Sequence, residues 1–463
     1  MCPVTQVVII GGGPGGYEAA LVAAQLGADV TVVAQDGLGG STVLTDCVPS
    51  KTLIATADAM SAAARSASLG VRLPDASAGS LSVDLAAVNA RIKRLAAAQS
   101  ADIAQSLAAA GVSVIQGSGQ LVSANRVRVD SAGQSQELSA EVVLLATGAR
   151  PRVAADAMPD GERILTWEQL YDLPELPARL IVVGSGVTGA EFASAYRGLG
   201  SDVVLVSSRE RVLPGEDADA AAVIEDVFAR NGVTVMSRSR AVSARRVADG
   251  VDVTLADGSV VSGSHCLMAI GSVPNTENLG LADVGVQVSE HGFIEVDKVS
   301  RTNVRGVYAA GDCTGVLMLA SVAAMQGRIA MWHALGDAVH PLNLHTVSST
   351  VFTDPEIATV GVTQDDVDQG RVDAVAVRLP LGGNARAKMQ DIRDGFIKIF
   401  ARSDSHTVLG AVVVGPRASE LIYPLTIAVE NRLTVDNLAS TFTIYPSLTG
   451  SIAEAARRLH TQH

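Results

Sequence analysis

The sequence predicts an α/β protein with two three-layer domains built on parallel sheets, followed by a C-terminal α+β domain. Three observations support this fold class. Two glycine-rich turns each follow a short apolar strand and precede a helical stretch. The 463-residue chain is 48% hydrophobic but only 3% aromatic, which suits valine-rich parallel strands and small-residue helices. From about residue 345 the pattern changes to that of an α+β domain.

The first strand–turn–helix–strand unit occupies the N-terminal part of the chain. The apolar run Val7–Ile10 predicts a strand that ends in the glycine-rich turn 11–16. The remaining elements that we expect in this unit are a helix over 17–26, a strand over 30–33, one or two helices over 85–110, and a strand over 142–145.

The pattern repeats about 170 residues later. The elements expected there are a strand over 180–183, the turn 184–189, a helix over 191–199, and a strand over 203–206. The elements expected in the C-terminal domain are antiparallel strands over 351–352, 396–400 and 409–414, and helices over 418–431 and 452–459.

Each glycine-rich turn has the spacing and the context of a nucleotide-binding turn. The first glycine permits a tight turn, the second lets a pyrophosphate approach the backbone, and the third allows close helix packing. Free N–H groups at the start of the helix favour phosphates. The two turns therefore predict two Rossmann-like dinucleotide-binding domains. The expected binding residues are Gly11, Gly13, Pro14, Gly15 and Gly16 in the first turn, and Gly184, Gly186, Val187, Thr188 and Gly189 in the second.

The residues after the second strand of each unit indicate how a ribose is recognised. An acidic side chain there binds a ribose 2′-hydroxyl. In the first unit Ala34 takes this place, and Asp36 is the acid that follows. In the second unit Ser207, Ser208 and Arg209 follow the strand, and this set can accept a 2′-phosphate. We hypothesise that NADPH is used at least as well as NADH; the alternative is that Arg209 is an ordinary surface arginine.

Charge and composition restrict the function classes. The net charge of −13 argues against non-specific nucleic-acid binding. No apolar run approaches the roughly 18 residues of a membrane span. The N-terminus has no charged segment of the kind that begins a secretory signal, and the four cysteines form neither a CxxC pair nor a metal-ligand cluster. We expect a cytoplasmic protein without structural disulfides and without a metal site.

Five segments in order carry a family resemblance. They are the segment 39–51 with Cys47 and Lys51, the Ala-Thr-Gly segment 146–151, the segment 271–276, the Gly-Asp segment 308–312, and the segment 351–356. The set resembles the pyridine nucleotide-disulfide oxidoreductases, also called flavoprotein disulfide reductases. The resemblance implies an FAD-binding domain over 1–150, an NAD(P)-binding domain over 151–275, a return to the FAD domain over 276–344, and a dimerisation domain over 345–463.

The same resemblance implies the roles of individual residues. Asp312 would hold the ribityl chain of FAD, and the helix that begins near Ala320 would point its N-terminus at the flavin. Lys51 would pair with Glu191 beside flavin N5. The further FAD residues that the resemblance implies are Gly40, Thr42, Cys47, Gly119, Ala146, Thr147 and Gly148, and Gly271 would contact NAD(P).

Three parts of the family's dithiol apparatus are absent from this sequence. Thr42 stands where the first redox cysteine belongs, five positions before Cys47. Tyr445 replaces the acid–base histidine and Gly450 replaces the glutamate that orients it. One sulfur cannot form an intramolecular disulfide, and a phenol is a poor proton shuttle at neutral pH. The family's route to disulfide substrates is therefore not expected.

The remaining parts predict an enzyme that passes electrons from NAD(P)H through FAD to a small-molecule quinone. The chain resembles the actinobacterial lipoamide-dehydrogenase-like NAD(P)H quinone reductases that lack the redox disulfide, and this resemblance implies a homodimer. Two other functions stay open: a single-cysteine peroxidase or oxidase that uses a Cys47 sulfenate, and a non-catalytic flavin redox sensor. Cys47 is alternatively an inert relic, and Tyr445 is either part of the acceptor pocket or only a packing aromatic.

Overall fold

A computed structural model describes residues 4–71 and 81–460 of the chain. The chain divides into two compact units, each assembled from three segments. The first unit consists of Met1–Thr52, Asn89–Arg152 and Gly271–Asn343, and the second consists of Leu53–Val88, Val153–Ile270 and Leu344–His463.

The N-terminal third of the chain alternates strands and helices before it changes to a small antiparallel sheet. Its strands are β1 Gln6–Ile10, β2 Asp29–Ala34, β3 Ser113–Gln116, β4 Ser118–Ser123, β5 Arg126–Ser131, β6 Gln134–Ser139, β7 Val142–Leu145 and β8 Ala149–Pro151. Its helices are α1 Pro14–Gln25, α2 Gly40–Leu44, α3 Cys47–Arg65 and α4 Leu85–Ala109, with a 3₁₀ turn at Ser66–Leu69.

The middle of the chain repeats the strand–turn–helix pattern. Its strands are β9 Ile164–Leu165, β10 Arg179–Val183, β11 Asp202–Val206, β12 Thr234–Met236, β13 Ala241–Val247, β14 Gly250–Leu255, β15 Val260–Gly263, β16 His265–Met268 and β17 Ser272–Pro274. Its helices are α5 Val187–Leu199, α6 Ala218–Arg230 and α7 Leu281–Val284, with a 3₁₀ turn at Trp167–Asp172.

The C-terminal third begins with one more strand and a long helix and ends in the antiparallel domain. Its strands are β18 Val307–Ala309, β19 Ser348–Val351, β20 Glu356–Gly361, β21 Ala374–Pro380, β22 Phe396–Arg402 and β23 Val408–Gly415. Its helices are α8 Ala320–Ala334, α9 Gln364–Asp368, α10 Ala385–Met389, α11 Ala418–Glu430, α12 Val435–Ser440 and α13 Gly450–His460, with 3₁₀ turns at Asp312–Thr314, Leu344–Thr346 and Leu381–Gly383.

The first unit is a three-layer domain around a parallel sheet of order β18-β7-β1-β2-β3. Alternate residues of β1 face opposite layers, because side chains in a strand alternate between its two faces. Val7 and Ile9 pack in a core with α1, α4 and α8 residues, whereas Val8 and Ile10 pack with residues of β4 and β5. The antiparallel sheet β4-β5-β6 therefore forms the third layer.

The second unit contains a second parallel sheet, of order β12-β11-β10-β16-β9, and the small antiparallel sheet β13-β14-β15. It also contains the antiparallel five-stranded sheet β19-β20-β23-β22-β21, against which α11 and α13 pack. The predicted fold class is thereby confirmed. Within the described residues, no helix has the length and apolarity required to cross a membrane, and no group of three or more potential ligands is placed to hold a metal ion.

The helices after both glycine-rich turns begin earlier than the sequence pattern predicts. Helix α1 begins at Pro14 and α5 begins at Val187. Proline is well suited to the first helical position, because its missing N–H is not needed there and its backbone angle already fits the helix. The glycine-rich turns therefore include the first turns of their helices, and the N–H groups of the turns are helix N-terminal donors.

A buried ion cluster joins two segments of the second unit. Lys398 on β22 is 4% exposed, and its Nζ lies 2.9 Å from a carboxylate oxygen of Asp217 and 2.9 Å from one of Asp219. Asp217 also caps α6 by accepting from the backbone N–H groups of Asp219 and Ala220. A buried cation without its partners is costly, so this cluster constrains where α6 meets β22.

We predict that Lys398→Ala lowers the free energy of unfolding by about 3–5 kcal/mol, because it leaves the buried Asp217 carboxylate without its cation. The measurement is the change in denaturant midpoint. The matched control is Arg457→Ala, which removes an exposed pair with Glu454 and is expected to cost less than about 1 kcal/mol. Equal losses in the two variants would contradict the prediction.

Candidate functional site

The first glycine-rich turn is shaped by two backbone contacts that exclude any side chain. Gly11 has a φ of +117°, and a Cβ added to it would lie 2.1 Å from the carbonyl oxygen of Ala146. A Cβ on Gly16 would lie 1.9 Å from the carbonyl oxygen of Gly11. Such distances are far inside van der Waals contact, so the strand and helix can meet here only through glycine.

The second glycine-rich turn repeats this geometry. Gly184 has a φ of +112°, and its added Cβ would lie 2.1 Å from the carbonyl oxygen of Ala269. A Cβ on Gly189 would lie 1.8 Å from the carbonyl oxygen of Gly184. In both units the turn between the first strand and its helix is therefore packed backbone against backbone in the same way.

The middle glycine of each turn is different, because the protein itself does not require it. Gly13 and Gly186 both have a φ of −72°, which any residue adopts. A Cβ on Gly13 would meet only the Cα of Gly40, at 4.0 Å, and a Cβ on Gly186 would meet nothing within 4 Å. Open space beside a helix N-terminus fits a pyrophosphate that approaches the backbone closely. The residues present therefore fit two dinucleotides.

Gly15 of the first turn packs against α8. A Cβ on Gly327 would lie 2.1 Å from the carbonyl oxygen of Gly15, so the two helices cross in backbone contact. Arg328 reinforces this crossing, since its Nε donates to Glu18 Oε2 at 2.9 Å. Pro14 is the first residue of α1. Helix α8, whose first residue is Ala320, is thereby fixed relative to the turn.

The loop after β18 presents the carboxylate of Asp312. The backbone N–H of Gly311 donates to Gln326 Oε1 at 2.8 Å, and Gln326 is only 1% exposed. Burial raises the pKa of Asp312. Among the described residues no hydrogen bond to this carboxylate is formed, which fits a binding site for the hydroxyls of a polyol chain. The sequence analysis did not identify Gln326. In the sequence this residue is marked only as an amide side chain within a largely apolar helix.

Two of the segments that carry the resemblance are joined within the first unit. Strands β8 and β17 pair antiparallel. Thr147 Oγ1 donates to the carbonyl of Asn275 at 2.6 Å, and Asn275 Nδ2 donates to the carbonyl of Thr147 at 3.0 Å. Gly148 and Gly271 both have positive φ, and an added Cβ would meet nothing within 4 Å at either. The predicted contact residues Thr147 and Gly148 therefore lie on an edge that Asn275 fixes.

One further predicted FAD residue is explained by packing. Gly119 on β4 faces the side chain of Ile10, which an added Cβ would approach to 3.0 Å. The structure thus gives Gly119 a role in the contact between two layers. Asp36 is exposed just after β2, at the carboxyl edge of the parallel sheet.

Cys47 and Lys51 lie on one helix, as predicted. Gly40 and Thr42 belong to α2, and α3 begins at Cys47, with Lys51 one turn further on. Lys51 is half-buried, and its Nζ donates to Ser50 Oγ at 3.4 Å.

Three of the four cysteines lie in the described residues. Cys47 is half-buried, whereas Cys266 and Cys313 are buried in the two parallel-sheet cores. Burial raises the pKa of Cys266 to about 12 and that of Cys313 to about 11, so neither forms a thiolate at neutral pH.

Glu191 on α5 is buried at 4% exposure. Its Oε1 accepts the backbone N–H of Phe352 at 2.9 Å. One turn along, Ser194 Oγ accepts the N–H of Asp354 at 3.1 Å. The prediction that Phe352 belongs to a strand is therefore wrong: β19 ends at Val351, because the next N–H is directed to Glu191 and not to the sheet.

The residues after β11 divide into an inward and an outward group. Ser207 is fully buried, its Oγ lies 2.6 Å from that of Ser185 in the glycine-rich turn, and it accepts the N–H of Arg209 at 3.0 Å. Its hydroxyl therefore braces the turn. Ser208 and the Arg209 side chain are exposed.

A second arginine lies beside this edge. The backbone N–H of Arg238, just after β12, donates to the carbonyl of Arg209 at 2.8 Å. Its guanidinium pairs with Glu210. Strands β11 and β12 are parallel neighbours in the sheet, so Arg209 and Arg238, which follow their carboxyl ends, lie at the same edge.

The segment around Tyr445 is an exposed apolar tip. Phe442, Ile444 and Tyr445 are 103%, 80% and 86% exposed. Gly450 is the first residue of α13, which follows directly. Large apolar side chains in such a group are typical of a surface that another protein covers.

Comparison with known proteins places these features in a family. The model described as pyridine nucleotide-disulphide oxidoreductase matches residues 5–327, and the model of the dimerisation domain of these proteins matches residues 347–456. A curated protein of Mycobacterium tuberculosis, named NAD(P)H dehydrogenase (quinone), is 56% identical over 98% of this chain and 94% of its own length.

Two further relatives match nearly the whole length of this chain. Dihydrolipoyl dehydrogenase 2 of Haloarcula marismortui is 34% identical over 98% of this chain and 96% of its own length. The crystal structure of LpdA from Mycobacterium tuberculosis has a TM-score of 0.94 and 55% sequence identity, with 98% of this chain and 100% of that chain covered. The C-terminal α+β segment is thus a dimerisation domain.

We predict opposite outcomes for two glycine substitutions in the second turn. Gly186→Ala is expected to keep the native melting temperature, since its Cβ would meet no protein atom within 4 Å, and to weaken NAD(P)H binding about tenfold or more. Gly184→Ala is expected to lower the melting temperature, because its Cβ would lie 2.1 Å from the Ala269 carbonyl oxygen. Thermal unfolding and equilibrium dinucleotide binding measure both effects. Unchanged binding in Gly186→Ala would count against a pyrophosphate at this turn.

Proposed function

The chain belongs to the pyridine nucleotide-disulphide oxidoreductase family, and from this premise we propose that it is an FAD-dependent NAD(P)H:quinone oxidoreductase. The observation that carries the proposal is that the segment 39–51 contains one cysteine, Cys47, where the family has two. Thr42 occupies the other cysteine position, and Cys266 and Cys313 are buried free thiols. An enzyme of this family without a dithiol needs an acceptor that takes electrons without thiol exchange. A quinone meets this requirement, and the relative from Mycobacterium tuberculosis is named for that activity.

The residues that would hold the two nucleotides follow from the geometry. In the first unit, the turn at Gly13 and the carboxylate of Asp312 would hold the pyrophosphate and the ribityl chain of FAD. In the second unit, the turn at Gly186 would hold the pyrophosphate of NAD(P)H. Bound FAD supplies two-electron acceptance from NAD(P)H and delivery of those electrons to the quinone.

Lys51 and Glu191 are the proposed charged residues of the reaction. A lysine that is half-buried on α3 supplies a positive charge in surroundings of reduced polarity, where it acts more strongly than in water. Glu191 is held rigid, because its buried carboxylate accepts the Phe352 N–H. The resemblance supports Lys51 as the cation beside flavin N5 and Glu191 as the carboxylate that orients it.

The apolar tip supports a homodimer. Phe442, Ile444 and Tyr445 are exposed in the dimerisation domain, where a second copy would cover them. We include in the proposal that Tyr445 reaches the acceptor site of the partner subunit and shapes the quinone pocket. We also propose a cytoplasmic location, which the buried free thiols of Cys266 and Cys313 support.

We predict that Cys47→Ser keeps most of the quinone reduction, because a hydroxyl fills the space of the thiol and the acceptor needs no sulfur. The measurement is a panel of lipoamide, disulfides, peroxide and quinones, assayed with NADPH on the FAD-loaded native and variant proteins. Loss of quinone turnover in the variant would overturn the proposal.

The same panel tests the two alternatives. A peroxidase that uses a Cys47 sulfenate would reduce peroxide in the native protein and lose this activity in Cys47→Ser. A redox sensor would keep its flavin oxidised when NADPH is added without oxygen. The proposal requires the flavin to bleach with NADPH and to regain its colour when a quinone is added.

We further propose that NADPH is used at least as well as NADH. Ser207 is turned inward, so the outward groups that support this preference are Ser208 and the guanidiniums of Arg209 and Arg238. Guanidiniums form strong charge-assisted hydrogen bonds with phosphates. Glu210 already pairs with Arg238, so Arg209 is the more available of the two arginines.

We predict that Arg209→Ala raises the KM for NADPH about tenfold and changes the KM for NADH by less than about twofold, since only NADPH carries the 2′-phosphate. Higher salt should weaken NADPH binding to the native protein more than binding to the variant. Arg245→Ala, another exposed arginine of the second unit, is the control and should alter neither value. Equal losses for both nucleotides would contradict the prediction.

A further inference from the structure

The apolar tip, residues 441–446, stands on a short polar base, residues 447–451. Inside the base, Ser447 Oγ donates to the carbonyl of Ile444 at 2.5 Å and lies 2.9 Å from Thr449 Oγ1. The same oxygen accepts the N–H of Gly450 at 3.2 Å. Ser447 therefore connects the tip to the first residue of α13.

The side chain of Asn384 bonds this base to the rest of the domain, and Leu448 of the base packs against the apolar core of the domain. Asn384 Nδ2 donates to the carbonyl of Ser447 at 2.9 Å and to Ser451 Oγ at 2.8 Å. Ser451 is only 2% exposed, so this anchor is embedded in the domain. The link from Asn384 through Ser447 reaches Ile444, the residue directly before Tyr445.

The amide oxygen of Asn384 also forms hydrogen bonds. Asn384 Oδ1 accepts the backbone N–H of Arg386 at 2.7 Å and that of Ala387 at 3.2 Å, which caps α10. The amide thus makes two hydrogen bonds as a donor and two as an acceptor. A cap alone would be served as well by aspartate or serine. The two donor bonds to the base are what asparagine adds.

We propose that Asn384 is a positioning residue for quinone reduction, which holds the base of the tip so that Tyr445 is presented to the acceptor site in one orientation. The inference rests on the proposed function, because it assigns Asn384 an effect on the acceptor half-reaction. Tyr445 is 86% exposed within its own subunit, so in that subunit its direction depends on the base beneath it. The anchor acts through Tyr445 and does not itself contact the substrate.

The chemistry of Asn384 suggests a variant that separates its two roles. Asn384→Asp keeps the shape and the cap of α10, since carboxylates are good N-cap acceptors. It removes both donor bonds and places a negative charge against the Ser447 carbonyl. Asn384→Asp therefore keeps the cap of α10 and loses both donor bonds to the base, while the volume of the side chain hardly changes.

The test compares the two half-reactions of FAD-loaded Asn384→Asp with those of the native protein. We expect the KM for a soluble quinone to rise about tenfold, as the loss of two hydrogen bonds permits. Anaerobic reduction of the flavin by NADPH is expected to stay within about twofold of the native rate, a difference of about 0.4 kcal/mol. Hydrogen exchange at the amides of 444–451 is expected to accelerate, because the base becomes mobile.

Two further variants serve as references. Tyr445→Ala should raise the quinone KM at least as much as Asn384→Asp does. In the same domain, Thr363 Oγ1 caps α9 by accepting the N–H of Asp366 at 3.2 Å. Thr363→Val removes this cap and should leave the quinone KM unchanged. A purely structural role for Asn384 would give the Asp variant the same kinetics as Thr363→Val.

The inference is overturned if Asn384→Asp shows a native quinone KM, or if its hydrogen exchange over 444–451 is unchanged. It is also overturned if flavin reduction slows as much as quinone turnover. A native protein that reduces no quinone would instead overturn the proposed function, and hydrogen exchange would still decide whether Asn384 holds the base.

Discussion

The close approach of backbone to backbone at the two glycine-rich turns is the constraint on which the structure depends. In both units the helix begins so near its preceding strand that a Cβ at Gly16 or Gly189 would overlap a carbonyl oxygen. This contact fixes the start of each helix at the carboxyl edge of a parallel sheet. The free N–H groups of the helix then face the space left open at Gly13 and Gly186. The strand, the helix and the phosphate site are therefore one geometric unit.

The other candidate residues are arranged by contacts that start from these turns. In the first unit α8 crosses α1 at Gly15, and Gln326 on α8 holds the loop that presents Asp312. In the second unit Ser185 within the turn is bonded to Ser207, which leaves Ser208 and Arg209 at the surface. Each nucleotide site is thus built outward from a backbone contact, and its polar side chains are placed by hydrogen bonds to neighbouring elements.

The chemistry of the family has been kept in one part and lost in another. The turns, Asp312, Lys51 and Glu191 remain, and we propose that they serve the binding of nucleotides and the acceptance of electrons. The first redox cysteine, the acid–base histidine and its glutamate are replaced by Thr42, Tyr445 and Gly450. These three replacements fall in the thiol relay that the resemblance implies, and both parallel sheets of the nucleotide-binding fold are present. In the proposed function, the exposed Tyr445 and its Asn384 anchor form a different acceptor side on the same framework.

Local sequence patterns were enough to predict most of the elements and the loss of the dithiol chemistry. Apolar runs placed the strands, the glycines at 11, 16, 184 and 189 specified the turns, and the lone Cys47 excluded a dithiol. Only the packing of distant segments shows which polar groups already have a hydrogen-bond partner within the protein. It directs the Phe352 N–H to Glu191, 161 positions away, and turns Ser207 inward. It also brings Asn384 to Ser447, 63 positions away. Hydrogen bonds over such separations depend on how distant segments pack, and the periodicity of a strand or helix carries no information about them.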